Sequence, residues 1–215
     1  MLIVGAKGFA KEVLEILHKL EQIDNLVFFD DVNIDGPDKL YDKFKILKSI
    51  EEVLKYFQNV DNKFCVGIGN PFLRKKMADK FLSLGGIFTS TISPSAVIGS
   101  YDIQIGDGCN ILSEAILSNS VKIGKGCIVY YNSIITHDCT IGDFVEISPN
   151  VTILGRSSVG AFSQIGANAT ILPNITIGKS VILGAGAVVT KDLPDNCMAV
   201  GVPARIVKDI KPLVF

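Results

Sequence analysis

Residues 135–153 read ITHDCTIGDFVEISPNVTI, with an aliphatic side chain at every sixth position. The same period continues without interruption over residues 105–189. Its members are Ile105, Ile111, Leu117, Ile123, Val129, Ile135, Ile141, Ile147, Ile153, Val159, Ile165, Ile171, Ile177, Leu183 and Val189. A period of six fits neither the 3.6-residue turn of a helix nor the alternation of an amphipathic strand. It predicts short strands joined by tight corners, stacked as the repeats of a solenoid.

A second set of residues, each four positions after an aliphatic one, is small or compact, and we expect both sets to face the core. The second set is Cys109, Ala115, Val121, Cys127, Ser133, Cys139, Val145, Val151, Ser157, Ser163, Ala169, Ile175, Val181 and Ala187. Three repeats make one triangular coil, so residues eighteen apart should stack at the strand spacing of about 4.8 Å. Ile92 and Ile98 extend the pattern backward, with one extra residue before Ile105.

Glycine directly follows many of the aliphatic positions, as at Gly106, Gly124, Gly142 and Gly160. We expect these glycines to form corners with unusual backbone angles. The chain has five cysteines and no CxxC pair, so the spacing indicates neither zinc nor redox chemistry. Three of the cysteines occupy compact inward positions, where a free thiol behaves as a small core residue. This usage predicts a reduced, cytoplasmic protein.

The first 90 residues lack the six-residue period, so we divide the chain into domains 1–90 and 91–215. Apolar strands are predicted at 2–4, 26–29 and 64–68, and helical patterns follow at 8–20 and 71–84. This alternation predicts a small Rossmann-like α/β domain with a parallel sheet. No apolar run approaches the ~20 residues of a membrane helix, and no secretory signal is visible. The net charge of −1 argues against a nucleic-acid partner.

Glycines stand between a strand and a helix at two places, Gly5 with Gly8 and Gly69 with Asn70. Such turns let backbone N–H groups approach a phosphate, although a tight turn without a ligand explains the GxxG spacing equally well. Asp30 and Asp31 end the second strand, where they could contact a ribose or base, or form a cap or a solvated turn.

His137 is the chain's candidate general base, because imidazole titrates near ~6.5. It lies two residues past a repeat aliphatic, at or near a corner, and Asp138 follows it. A carboxylate there could fix the tautomer of the ring, whereas a solvated corner histidine is the other interpretation. His18, the second histidine, falls outside the apolar face of its helix and predicts a surface role.

Six segments together resemble the NeuD/PglD-type sugar acetyltransferases of the hexapeptide-repeat superfamily. They are residues 3–12 (IVGAKGFAKE), 29–31, 67–70 with Arg74, 93–96, 184–192 (GAGAVVTKD) and 201–205 (GVPAR). The resemblance implies a left-handed parallel β-helix and a homotrimer with active sites between subunits. It also implies acetyl-CoA as cosubstrate, no metal, a nucleotide-linked amino-sugar bound by the N-terminal domain, and a role in lipopolysaccharide or other glycan biosynthesis.

The resemblance also assigns residues to each part of the site. The catalytic set is His137, Asp138 and Gly155, with the Gly155 N–H on the acetyl carbonyl; a plain corner glycine is the alternative. The acetyl-CoA set is Glu146, Ile165, Gly166, Ala167, Gly184, Ala185, Pro203, Ala204, Arg205 and Lys208, the last two as phosphate partners or as a solvated basic tail. The nucleotide-sugar set is Gly5, Ala6, Lys7, Gly8, Phe9, Asp30, Asp31, Gly69, Asn70 and Arg74.

Two residues depart from the family pattern. Glu146 stands where many relatives carry a second histidine, and Tyr130 stands where PglD-like enzymes carry Asn. The first hypothesis is nevertheless direct N-acetylation of a UDP- or dTDP-linked 4-amino-4,6-dideoxyhexose. A sugar O-acetyltransferase of the sialic acid type is the second hypothesis, and a non-catalytic sugar-binding scaffold is the third.

Overall fold

A computed structural model describes residues 1–33 and 35–212 of the chain. The N-terminal part contains β1 (Leu2–Val4), α1 (Gly8–Lys19), β2 (Val27–Phe29), β3 (Lys39–Leu40), β4 (Phe44–Leu47), α2 (Ile50–Asn59), β5 (Lys63–Val66), α3 (Pro71–Ser83) and β6 (Ile87–Phe88). These strands form one sheet in the order β3-β4-β2-β1-β5-β6, parallel except for the β3–β4 hairpin. The predicted α/β domain is therefore present, and the sequence reading missed α2, β6 and the hairpin.

Helices α1 and α3 begin and end close to where the sequence signals predict. Helix α1 buries Val13, Leu14 and Leu17 on the face that the periodicity identifies, while His18 is exposed. Pro71 opens α3, the Asn70 side chain accepts a hydrogen bond from the N–H of Leu73, and the helix ends before the Gly85–Gly86 pair. Proline and an Asn cap at the first turn account for this start.

The remaining strands belong to three parallel sheets that wind as a left-handed β-helix. Sheet 1 contains β7 (Thr91–Ile92), β10 (Asn110–Ile111), β13 (Ile128–Val129), β16 (Glu146–Ile147), β19 (Gln164–Ile165), β22 (Ile182–Leu183), β24 (Cys197–Val200) and the antiparallel β25 (Arg205–Asp209). Sheet 2 contains β8 (Val97–Ile98), β11 (Ile116–Leu117), β14 (Ile134–Ile135), β17 (Thr152–Ile153), β20 (Thr170–Ile171) and β23 (Val188–Val189). Sheet 3 contains β9 (Gln104–Ile105), β12 (Lys122–Ile123), β15 (Thr140–Ile141), β18 (Ser158–Val159) and β21 (Thr176–Ile177).

The register confirms the eighteen-residue coil. Ile111 pairs with Val129, and Leu117 pairs with Ile135, each eighteen residues apart. In the first coil, Thr91 pairs with Asn110 at a separation of nineteen, which places the predicted extra residue between β8 and β9. The apolar members of both sets pack in one cluster, with Ile105 only partly buried, and Cys109, Cys127 and Cys139 lie inside it as predicted. The three serines of the compact set are buried as well. The N-terminal sheet ends at Phe88 and the β-helix begins at Thr91, while the division at 90 and 91 stays a prediction.

The corners correct the expectation for the glycines that follow the aliphatic positions. Positive φ recurs at every sixth residue from Asp102 to Gly186, three residues after the aliphatic position, and most of these residues are not glycine. Gly106 and Gly124 have no positive φ; a methyl group on either would lie 2.5–2.6 Å from the neighbouring coil. These glycines are therefore required by the close stacking of coils, not by backbone strain.

The outward residues distinguish the three sheets. Sheet 3 presents Gln104, Lys122, Thr140, Ser158 and Thr176, which is a polar surface. Sheet 1 is covered by the N-terminal domain, so that Ile128 is fully buried in the cluster that contains α1. Sheet 2 presents Val97, Ile116, Ile134, Thr152, Thr170 and Val188 and has no covering element within the described residues.

No helix among the described residues, 1–33 and 35–212, is long and apolar enough to cross a membrane.

Arg74 of α3 fixes the N-terminal domain on sheet 1. The side chain is fully buried, and its five N–H donors reach five backbone carbonyls. Two of these belong to Ile68 and Gly69, and three belong to the β-helix corner at Gly126, Phe144 and Val145. Burial lowers the pKa of Arg74 to about 10, so the group stays charged at neutral pH. This placement corrects the expectation that Arg74 contacts a nucleotide, because none of the side chain is accessible.

We expect Arg74→Met to lower the free energy of unfolding by at least about 3 kcal/mol, because buried carbonyls would lose their donors. Arg74→Lys keeps the charge but only three donors, and should fall between Arg74→Met and the unmodified chain. Urea denaturation at one protein concentration measures both. Arg205→Met on exposed β25 is the matched control, with a change within about 0.5 kcal/mol. Equal stability of all variants would contradict the assigned role of Arg74.

Candidate active site

His137 and Asp138 form an ion-pair-like contact at the corner between sheets 2 and 3. The Nδ1 atom of His137 lies 2.7 Å from Oδ2 of Asp138, and about half of each side chain is exposed. Asp138 has a φ of 61°, a left-handed conformation that Asp adopts more readily than most residues. Because an ionised carboxylate only accepts hydrogen bonds, Nδ1 carries the proton and Nε2 presents a free lone pair.

Gly155 lies directly under the imidazole ring, one coil after His137. A methyl group on Gly155 would lie 2.6 Å from Cε1 and 2.7 Å from Nε2 of His137. Only a residue without a side chain therefore permits this ring position. Within the described residues, no backbone carbonyl accepts the Gly155 N–H, although the Gly155 carbonyl accepts from Asn174. A free N–H beside the free ring nitrogen is the arrangement that an oxyanion requires.

The His137 corner is opposite the sheet that carries the N-terminal domain. Strand β14 of sheet 2 ends two residues before His137, so the imidazole stands at one edge of the uncovered apolar sheet. The other edge of sheet 2 is the corner shared with sheet 1. Within one chain, the whole width of the β-helix separates His137 from the glycine-rich turns of the N-terminal domain.

Most of the expected acetyl-CoA residues lie along that other edge of sheet 2. Gly166, Ala167, Gly184 and Ala185 occupy successive coils of the corner between sheets 1 and 2. Residues 203–205 cap its C-terminal end, where the N–H of Ala204 donates to the carbonyl of Val188. Arg205 and Lys208 are exposed on β25, and Pro203 is exposed. Ile165 departs from this group, because its side chain is fully buried in the core and only its backbone could contact a ligand.

The N-terminal domain has two adjoining cavities, of about 390 and 370 Å³, at the carboxyl ends of β1 and β2. Both are lined by Ala6, Lys7 and Gly8, and the first is also lined by Gly5, Phe9 and Gly69. No side chain caps the N-terminus of α1, and its first residues, Gly8 and Phe9, line this space. An uncapped helix N-terminus attracts a phosphate through its N–H groups and dipole.

Polar side chains fix the rim of these cavities. Asp30 accepts from the N–H groups of Val32 and Asn33, and the Nζ of Lys7 lies 2.7 Å from the side-chain oxygen of Asn33. Burial alone would raise the pKa of Asp30, but these hydrogen bonds lower it. The contacts of Asp30 are therefore those of a turn residue, one of the roles that the sequence leaves open for it. Asp31 pairs with Lys80 at 3.2 Å, outside the lining of either cavity.

Asn70 acts as the cap of α3 and does not line the cavities at α1. A larger cavity, of about 510 Å³, lies elsewhere between Met1, Asp61, Thr89 and Ser90. Neither histidine nor any of the glycine-rich turns lines it. Size alone therefore does not identify the site.

Glu146 and Tyr130, the two departures, lie beneath the N-terminal domain. Glu146 accepts a hydrogen bond of 3.1 Å from Gln164, and a methyl group on Gly69 would lie 4.0 Å from its Oε2. The ring of Tyr130 packs on Phe9 with centroids 5.3 Å apart. Burial raises the pKa of Glu146 and also that of Tyr130. Each residue thus lies next to a residue of the cavity lining, Phe9 or Gly69, and on a different side of the β-helix from His137 of the same chain.

Family comparisons agree with this two-part architecture. Residues 1–81 match the PglD N-terminal domain, and residues 120–155 and 156–191 match the bacterial transferase hexapeptide of six repeats. The chain belongs to the NeuD/PglD-type hexapeptide-repeat sugar acetyltransferases. No curated protein matches the sequence.

Three solved structures show how far the similarity to this PglD-type chain extends. Perosamine N-acetyltransferase from Caulobacter crescentus, a mutant in complex with CoA and GDP-perosamine, is 29% identical with a TM-score of 0.89 over 97% of this chain and 96% of that one. The acetyltransferase domain of PglB from Neisseria gonorrhoeae, in complex with acetyl coenzyme A, is 28% identical with a TM-score of 0.87 over 96% and 98%. WeeI from Acinetobacter baumannii is 28% identical with a TM-score of 0.74 over 96% and 98%.

The sequence reading missed Asn33 and Lys48 in the cavity lining. Lys48 holds the loop by donating to the carbonyls of Asn33 and Gly36. This loop has no periodic pattern, so no signal in the sequence could place it beside α1. Among the described residues, no group of three or more His, Cys, Asp or Glu side chains is arranged to hold a metal ion.

We expect His137→Ala in this PglD-type enzyme to lower kcat by about 10²–10⁴-fold, the usual contribution of a general base, while coenzyme A binding persists. Gly155→Ala should lose a similar share of turnover, because the added methyl group displaces the ring. Steady-state kinetics and coenzyme A titration measure the two effects. His18→Ala is the matched control and should retain full activity. Unchanged turnover in His137→Ala would remove this histidine as the base.

Proposed function

We propose that this protein is an acetyl-CoA-dependent N-acetyltransferase that acts on a nucleotide-linked 4-amino-4,6-dideoxyhexose. The observation that carries the proposal is the His137–Asp138 pair over Gly155, in a chain that superposes along nearly its whole length on a perosamine N-acetyltransferase bound to CoA and GDP-perosamine. A base with a free Nε2 and an unpaired N–H one coil away suits direct acyl transfer.

The residues divide the chemistry as follows. Asp138 holds the His137 ring in the tautomer that leaves Nε2 free to take the proton of the attacking amine. As the new C–N bond forms, the N–H of Gly155 would stabilise the charge on the acetyl oxygen. His137 then returns its proton to the departing sulfur, so coenzyme A leaves as a thiol. No covalent enzyme intermediate is required.

The cavities at α1 would hold the nucleotide. The uncapped N-terminus of α1 and Lys7 supply positive potential for the diphosphate, and the second cavity offers Pro37, Leu40 and Ile46 as an apolar surface for the base. The coenzyme would lie along the corner at Gly166 and Gly184, with Arg205 and Lys208 available for its phosphates.

A second copy of the chain would complete the site. His137 stands at one edge of the uncovered apolar sheet 2, and the coenzyme residues with the N-terminal domain stand at the other. A cyclic assembly with head-to-tail contacts joins one edge of each copy to the opposite edge of the next. Burial of Ile116, which is 37% exposed, and of Val97, which is 56% exposed, would stabilise it. We therefore propose a homotrimer.

A cytoplasmic location accords with the cysteines, since all five are free. The acetylated product would then serve lipopolysaccharide or other glycan synthesis. An O-acetyltransferase acting on a free sugar is the second candidate, but the paired cavities at the uncapped helix favour a nucleotide-linked acceptor.

Thiol release from acetyl-CoA tests the proposed function directly. The panel contains UDP-, dTDP- and GDP-linked 4-amino-4,6-dideoxyhexoses, with free sialic acid alongside. We expect release with one nucleotide amino-sugar and none with sialic acid. Release with sialic acid alone would move the protein to the O-acetyl class. Silence with every acceptor, together with no coenzyme A binding, would leave a sugar-binding scaffold.

Mixing two inactive variants tests whether the site is shared between copies. His137→Ala lacks the base, and Ala6→Trp fills the nucleotide cavities. Assemblies formed at random from equal amounts of the two variants should have intact sites at about a quarter of their interfaces. At those interfaces one copy supplies an intact His137 and its neighbour supplies an intact nucleotide cavity. Recovery is measured by thiol release after co-expression, and differently tagged subunits verify the mixing. Mixed assemblies without recovered activity would place the whole site within one chain.

A further inference from the structure

Glu146 is a carboxylate in an unusual position, on the outward side of sheet 1 beneath the N-terminal domain. The side chain is half-buried, and its single hydrogen bond to the described chain comes from Gln164. Its neighbour across the domain junction is Gly69, a glycine that lines the cavity at α1. Arg74 lies close enough to lower the pKa of Glu146, but burial outweighs this effect and raises it overall. The carboxylate therefore lies next to Gly69, a residue of the cavity lining, and has acceptor capacity beyond the bond from Gln164.

Tyr130 and Glu12 lie close to the same cavity, behind its lining. The ring of Tyr130 packs against Phe9, which lines the cavity, and burial together with the nearby charge of Glu12 raises the pKa of Tyr130. Among the described residues, Oε2 of Glu12 is the only buried side-chain oxygen or nitrogen without a hydrogen-bond partner. A buried carboxylate oxygen without a donor costs about 1–3 kcal/mol, so the surroundings of Tyr130 contain hydrogen-bond acceptors in excess of donors.

These contacts favour a sugar over the coenzyme as the partner of Glu146. The corner at Gly166 and Gly184 presents backbone and small side chains, whereas Glu146 and Tyr130 lie next to Gly69 and Phe9 of the cavity lining. Carboxylates repel phosphates and accept hydrogen bonds from hydroxyl and amino groups. A nucleotide-linked amino-sugar whose diphosphate lies at the N-terminus of α1 would extend its sugar toward Glu146.

We infer that Glu146, assisted by Tyr130, binds the amino-sugar part of the acceptor and selects it over sugars that lack the matching hydrogen-bond donors. The inference rests on the proposed function and assigns to Glu146 the acceptor rather than acetyl-CoA. A site built from buried hydrogen-bond acceptors rejects analogues without the matching donors, since its own groups would remain unpaired.

Glu146→Gln is the first test, because it keeps the shape of the side chain and its contact with Gln164. Loss of a hydrogen bond to a charged acceptor is worth about 10- to 100-fold in affinity. We therefore expect the KM for the nucleotide amino-sugar to rise by about that factor. The KM for acetyl-CoA and the affinity for the matching nucleoside diphosphate should stay unchanged. Tyr130→Phe, which keeps the ring on Phe9, should raise the same KM by a smaller factor.

Glu15→Gln, on the exposed side of α1, is the matched control and should change neither KM. Thermal unfolding and coenzyme A binding verify that each variant is folded. Unchanged acceptor KM in both Glu146→Gln and Tyr130→Phe, with the unmodified enzyme active, would overturn the inference and leave the proposed function standing. A rise in the acetyl-CoA KM alone would return Glu146 to the coenzyme. An unmodified enzyme that is inactive on every nucleotide amino-sugar would overturn the proposed function itself.

Discussion

The buried guanidinium of Arg74 holds together the two halves of the molecule. Its five donors join the loop after β5 to two successive coils of the β-helix, in a place where no water can replace them. A lysine has three donors and no planar fork, so only arginine can satisfy this set of carbonyls. The position of the cavity at α1 relative to Glu146 follows from this contact. The family resemblance associated Arg74 with the nucleotide, whereas its contacts describe a residue that positions the cavity.

The six-residue period made most of the β-helix predictable. Each repeat has its own aliphatic residue, so the burial of Ile135 or Ile153, the eighteen-residue register and the extra residue after Ile98 all follow from spacing. The corner angles did not follow, because the left-handed position is held by Asp, Asn, Ser, Arg and Phe as well as Gly. Gly106 and Gly124 are required because the next coil lies too close for a side chain. That closeness is a contact between coils, which the sequence of a single repeat does not show.

The candidate site was predictable in its residue types and less so in its arrangement. His137 and Asp138 are adjacent in sequence, and Gly155 follows one coil later, so spacing alone could place them together. Glu146 is nine residues from His137 and faces another side of the β-helix. Its neighbour Gly69 is far away in the chain and reaches it only because the N-terminal domain folds back on sheet 1. A contact such as that between Gly69 and Glu146 depends on how the two domains pack, and the spacing of residues within either segment does not predict it.

The stacked coils also give the molecule an internal scale. Each coil advances about 4.8 Å along the axis and returns every side chain to the same face. The offset between His137, the proposed base, and the basic strand near Arg205 is thus counted in whole coils. Gain or loss of eighteen residues between them would change that offset by one step while every face kept its chemistry. Gain of six residues would instead turn all later residues by a third of a revolution, and the corner at Gly184 would then face a different neighbour. The distance along the axis between His137 and the proposed coenzyme residues is therefore set in discrete increments by the number of coils.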